Sequence, residues 1–180
     1  MLIKKARKGH LDLIGPATAV GEELLGVPSF DVPDFTEPLS EEKSILKNLK
    51  KVFLMIAGAG VQKYGTDLEK HQQLLLAVSD ILIEIYLVES AILRTEKNIN
   101  RYGLDTQDMQ LAMTKLYLFK AVEKIQSKGK EAIISSSEGD EQKMLLMGLK
   151  RFTKYVNHPN VIGLREKVAD KIIAENQYCF

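Results

Sequence analysis

The chain has 180 residues, of which 45% are apolar and 27% charged. This length suits one domain, and the composition is that of a globular fold and excludes wholesale disorder. Twenty-five basic against 24 acidic residues leave +1, so bulk charge argues against a nucleic-acid partner. Cys179 stands alone, which excludes an internal disulfide framework and an all-cysteine metal site.

Lys4, Lys5, Arg7 and Lys8 make the first ten residues basic, and Gly15-Pro16 follows without an apolar signal core. No secretory signal is expected, and no window of about twenty apolar residues could span a bilayer. The expected location is intracellular and cytoplasmic, with peripheral membrane contact as an open addition. Residues 11 to 42 hold eight acidic residues and no Lys or Arg. A short helix is expected from Pro16 to Leu25, with proline in its first turn and Gly26 as its stop. Pro28, Pro33 and Pro38 then favour an extended connection. Residues 1–39 therefore read as an arm or connector, and 40–180 as the domain proper.

From Ser40 the pattern is helical. Ser40 is a good N-cap residue, with Glu41 and Glu42 set against the helix dipole. Ile45, Leu49, Val52, Phe53, Ile56 and Gly60 form one stripe, and Gly65 breaks the helix after Tyr64. A longer helix is expected from Asp67 to Arg101, on Leu74, Leu75, Val78, Ile81, Leu82, Ile85 and Ile92. Tyr102-Gly103 closes it. A third begins near Thr106 on Met109, Met113, Leu116, Tyr117 and Val122, and fades at Ser135-Ser136-Ser137. A fourth runs from Gly139 to about Tyr155 through Met144, Leu145, Leu149 and Phe152. After the loop 157–160, a short last helix carries Leu164, Val168, Ile172 and Ile173. The fold class is all-α: an up-down bundle of four main helices with an N-terminal arm and a short C-terminal helix.

Few residues suggest chemistry. Gly58-Ala59-Gly60 lacks the third glycine and the preceding strand of a dinucleotide fingerprint, so close helix contact is the better reading. His10, His71 and His158 have no glutamate three residues before them, so the ligand pairs of di-iron bundles are missing. Asp80 and Glu84 sit one turn apart and could divide acid and base roles, but a pairing with Lys or Arg of a neighbouring helix is the stronger expectation. Glu89 and Arg94 are read the same way. Cys179 has no histidine near it in sequence to activate it. Lys143, Lys150, Arg151 and Lys154 make the fourth helix basic and amphipathic, a candidate membrane or partner contact.

The stretch VSDILIEIYLVESAILRTEK from Val78 to Lys97 resembles a helix in the C-terminal extension of very-long-chain-type acyl-CoA dehydrogenases. MGLKRFTKY from Met147 to Tyr155 and the closing Phe180 follow in the order of that extension, and Met1 to Val20 resembles the segment just after the catalytic part. The resemblance implies a parent flavoprotein in which a glutamate takes the α proton of a fatty acyl-CoA and FAD takes the β hydride. Electrons would then pass to an electron-transferring flavoprotein. The motif of that glutamate, Phe/Tyr-Glu-Gly-Thr, does not occur here and is expected ahead of Met1. No catalytic, FAD-binding or metal-binding residue is therefore expected in this chain, and FAD belongs to the parent. The implied role is accessory: contact with the catalytic core, homo-oligomer formation or peripheral membrane contact. The rival expectation is a free-standing helical adaptor with a natural start at Met1.

Overall fold

The computed structural model describes residues 14–26 and 34–177. Among these the chain forms α1 (Ile14–Leu25), α2 (Ser40–Tyr64), α3 (Gln72–Tyr102), α4 (Asp108–Ser136), α5 (Gly139–Phe152) and α6 (Val161–Glu175), and no strand. Short 3-10 turns precede α3 and α4. The all-α expectation holds. His10, Pro28, Pro33 and Cys179 lie outside the described residues.

α2 to α5 form the bundle, in up-down order. Lys43 pairs with Glu96, and Lys50 with Glu89 at 2.6 Å. A seven-residue advance on α2 thus matches a seven-residue retreat on α3, which is the register of antiparallel neighbours. α3 and α4 are joined in the same sense by the buried Thr95–Thr114 hydroxyl pair at 2.8 Å and, farther along, by Glu84 and Lys124. Glycines permit the reversals: Gly65 has φ +49° and Gly103 φ +87°, values that an L side chain rarely adopts.

Leu49, Val52, Ile81, Val88, Ile92, Leu118, Val122, Ile125 and Ile133 are almost fully buried at the centre. Each such side chain contributes about 1.5–3 kcal/mol through removal from water. α1 lies across α2 and α5 and buries Val20 and Leu24. α6 lies on α4, has no buried residue of its own, and is held in part by the Lys167–Asp108 pair.

The structure corrects two local expectations. Ser40 does not cap α2: the capping position is Leu39, at φ +63° with no side-chain cap. Leu39 is itself 3% exposed, so burial of its side chain holds a strained backbone. The Ser40 hydroxyl instead donates to the Asp34 carbonyl at 2.6 Å. The third main helix does end at the serine run, at Ser136, and there Ser135, Ser136 and Ser137 each donate to the carbonyl four residues back. That bond satisfies the hydroxyl within the helix. On α4 only Val122 of the five expected stripe residues is buried. The core line runs instead through Leu118, Ala121, Ile125 and Gly129.

Candidate functional site

The Asp80–Glu84 pair reaches the α3–α4 seam. Glu84 is buried and accepts from the Tyr117 hydroxyl at 3.0 Å and from Lys124. The carboxylate raises the pKa of Lys124, first through this hydrogen bond and then through its charge. Burial first, and then Glu84, pushes Tyr117 up to about 12. Lys124 and Tyr117 are thus both held in their protonated forms. Such an arrangement ties two helices together, and neither Lys124 nor Tyr117 is poised to exchange protons near neutrality. Glu89 is likewise engaged by Lys50, and Arg94 is exposed.

A second polar cluster surrounds a cavity of about 250 Å³ between the start of α2, α4 and the loop before α6. Glu41, Glu42, Lys115, Tyr155 and His158 line it. Lys115 stands 3.7 Å from Glu42, and Glu41 accepts from the Asn157 backbone N–H at 2.7 Å. The Tyr155 hydroxyl is closed off from solvent without a hydrogen-bond partner, and burial together with Glu42 and Glu41 raises its pKa. This phenol is kept neutral, and its oxygen is closed to solvent although the ring lines the cavity.

The glycines at 58 and 60 serve contact between elements. A Cβ on Gly58 would stand 2.6 Å from Ala17 Cβ of α1, and one on Gly60 would stand 3.1 Å from Leu74 Cδ2. His71 is exposed and stacks on Tyr64 with ring centroids 3.7 Å apart, and His158 lies beside Tyr155. Among the described residues no group of three or more His, Cys, Asp or Glu could hold a metal ion. No helix among them is long and apolar enough to cross a membrane.

The four basic residues of the fourth main helix do not form one patch. Lys143 and Lys150 are exposed on the same side of α5, and Lys154 is exposed just beyond it. Lys143 pairs with Asp140 at 2.9 Å. Arg151 turns toward α1, donates to the Glu23 carbonyl at 3.2 Å and lies over the Phe152 ring.

One feature of α3 escaped the periodicity reading. Leu76 (58% exposed), Ile83 (53%), Tyr86 (68%), Leu87 and Leu93 (56%) project to solvent. At 3.6 residues per turn they fall on the side opposite Ala77, Ile81, Ile85, Val88 and Ile92. The signal was in the sequence: α3 is apolar on two sides, and a helix apolar all round is a buried helix.

The fold and its contacts thus define a helical bundle domain with ion-paired seams and an uncovered apolar face, and comparison with known proteins gives its family. The model of the acyl-CoA dehydrogenase C-terminal domain family matches residues 48–151, and the chain belongs to that family. A probable acyl-CoA dehydrogenase of Bacillus subtilis (strain 168) is 36% identical over 98% of this chain. The crystal structure of an acyl-CoA dehydrogenase complexed with FAD from Bacillus anthracis matches 99% of the chain, with a TM-score of 0.89 and 35% identity. In both cases the chain spans 29% of the relative's length.

FAD does not fit the groove between α1, α2 and α5. This groove, of about 640 Å³, is mainly apolar, and its lining includes Glu22 and Glu141 but no Lys or Arg. A dinucleotide diphosphate would meet negative charge there. The Gly58–Gly60 backbone is locked inside α2, with its amides in the helix ladder.

Proposed function

We propose that this chain is the C-terminal accessory domain of a flavin-dependent acyl-CoA dehydrogenase and is not catalytic by itself. The observation that carries the reading is coverage. Both relatives match nearly the whole chain, the chain spans 29% of each, and the solved one holds FAD. The inward use of Glu84, Lys124 and Tyr117 agrees with a supporting role. In this reading residues 1–39 connect the catalytic part to the bundle of 40–180, with α1 docked on that bundle. The parent would oxidise acyl-CoA at the α,β carbons, in the cytoplasm, and its very-long-chain type follows from the resemblance.

The test begins with the coding DNA upstream of Met1. An open frame reaching a Glu-Gly-Thr motif is expected. The product of that frame should be yellow and should oxidise acyl-CoA esters, and the 180-residue chain should do neither. A ribosome site and stop codon just before Met1 would overturn the reading in favour of a free-standing helical protein. Homo-oligomer formation and peripheral membrane contact belong to the same proposal. Lys150 and Lys154 are exposed without an ion-pair partner among the described residues, and each basic residue near an anionic surface adds about 1 kcal/mol. Salt-sensitive binding to anionic vesicles, lost when Lys143, Lys150 and Lys154 become Gln, is expected. No binding removes the membrane contact.

A further inference from the structure

We infer that the outer face of α3 is the surface on which the rest of the parent chain docks. This rests on the proposed function and names the contact it requires.

The face is built for dry burial. From Leu76 to Leu93 it runs about 26 Å at 1.5 Å per residue, and its side chains are Leu76, Ile83, Tyr86, Leu87 and Leu93 with Ser79 and Ser90 between them. No charged residue falls within this arc. The serine hydroxyls are already bonded to their own helix, Ser79 to the Leu75 carbonyl at 2.7 Å and Ser90 to the Tyr86 carbonyl at 2.8 Å. They can leave water without losing a partner. Three of the flanking acids are drawn sideways, Glu89 and Glu96 to lysines of α2 and Glu84 to Lys124 of α4, and Asp80 borders the strip on the side of α4. A contiguous apolar strip of this kind marks an interaction surface.

Among the described elements, none covers this face of α3. α1 lies over α2 and α5, and α6 lies over α4. No described element lies over α3. About seven-tenths of each relative lies outside the region that this chain matches. That length supplies the occupant: a second domain of the same polypeptide, tethered at high effective concentration. At the C-terminal end of the strip Arg94, Lys97 and Arg101 continue the same face, are exposed, and have no ion-pair partner among the described residues. The docking surface of the partner is therefore apolar along its length and acidic at one end.

The experiment uses thiol protection. Ile83→Cys and Tyr86→Cys, each with Cys179→Ser, are made in the 180-residue chain and in the full reading frame. Lys130→Cys, on an exposed position of α4, is the control. Maleimide labelling of the corresponding peptide is followed by mass spectrometry. The thiols at 83 and 86 should label at the rate of the control in the 180-residue chain. They should label at least ten-fold more slowly than the control in the full-length protein. Rapid labelling at both positions in the full-length protein overturns the inference and leaves the accessory-domain reading standing. Protection that already exists in the 180-residue chain and rises with its concentration assigns the face to a second copy and also overturns it. Absence of an upstream frame removes both readings together.

Discussion

The contact between α1 and α2 can be tested at a single carbon atom. Gly58→Ala would place a Cβ 2.6 Å from the Ala17 Cβ, where two carbons prefer about 3.5–4.0 Å. Ala17 has no rotamer with which to yield, so α1 must withdraw by about 1 Å. Val20 and Leu24, the buried residues of α1, withdraw with it. Overpacking of this kind costs about 1–3 kcal/mol, against a helix-propensity gain of about 1 kcal/mol for replacing glycine by alanine. The expected net loss for Gly58→Ala is about 1 kcal/mol. Ala17→Gly should lose about the same, because it puts glycine in a helix. The double substitution merely exchanges the two residues across the seam and should lie close to the parent sequence. The coupling would then be about 2 kcal/mol, in the range seen for side chains in contact. Urea unfolding followed by circular dichroism reads all four proteins with one slope. If Gly58→Ala stabilises the chain and the two changes are additive, α1 is not seated on α2 as described.

Three further predictions concern the seams. Lys124→Gln should destabilise more than Glu84→Leu, because it leaves a buried carboxylate without its cation, whereas Lys124, already half exposed, can turn to water when Glu84 is removed; urea midpoints in the opposite order would refute this. Tyr117 is raised from 10.0 to about 12, so the folded chain holds that proton more tightly than the unfolded chain: the stabilisation is complete below pH 10 and is lost as pH rises through about 12. Unfolding free energies should fall across that window and fall less steeply in Tyr117→Phe, while an unchanged slope would remove Tyr117 as a contributor. Leu24→Ala should lower stability by about 2–3 kcal/mol, the low end for a buried leucine because the neighbouring groove admits water, and a loss under about 0.5 kcal/mol would show that α1 is not part of the cooperative unit.

The helices were legible because their stripes are long and their stops are chemical. Gly65 and Gly103 end α2 and α3 where the sequence places breaks, and the positive φ at each explains why glycine stands there. Local polar chemistry was harder to read. Ser40 has an alternative partner, a carbonyl six residues away, and the choice between a cap and such a bond is made by tertiary structure. The α4 stripe was misplaced for a related reason. Small residues at Ala121, Gly129 and Ala132 let neighbouring side chains come close, so burial follows residues that carry little hydrophobic signal. The basic residues of α5 show the same limit from the charged side: sequence groups Arg151 with Lys143, Lys150 and Lys154, whereas the Glu23 carbonyl and the Phe152 ring draw it inward.

The two-sided character of α3 has a physical consequence for any reading of the chain. Ile81, Ile85, Val88 and Ile92 suffice to fasten the helix to its neighbours. Nothing in the bundle then requires Ile83, Tyr86, Leu87 and Leu93 to be apolar, and a polar residue at each would keep the fold while improving its solubility. A strip that adds no internal stability and exposes apolar surface is explained by contact with something outside the bundle. The described polar clusters, by contrast, are satisfied internally at Glu84 or closed off at Tyr155. The described seams thus serve packing, and the docking contact we infer falls to the outside of α3 instead.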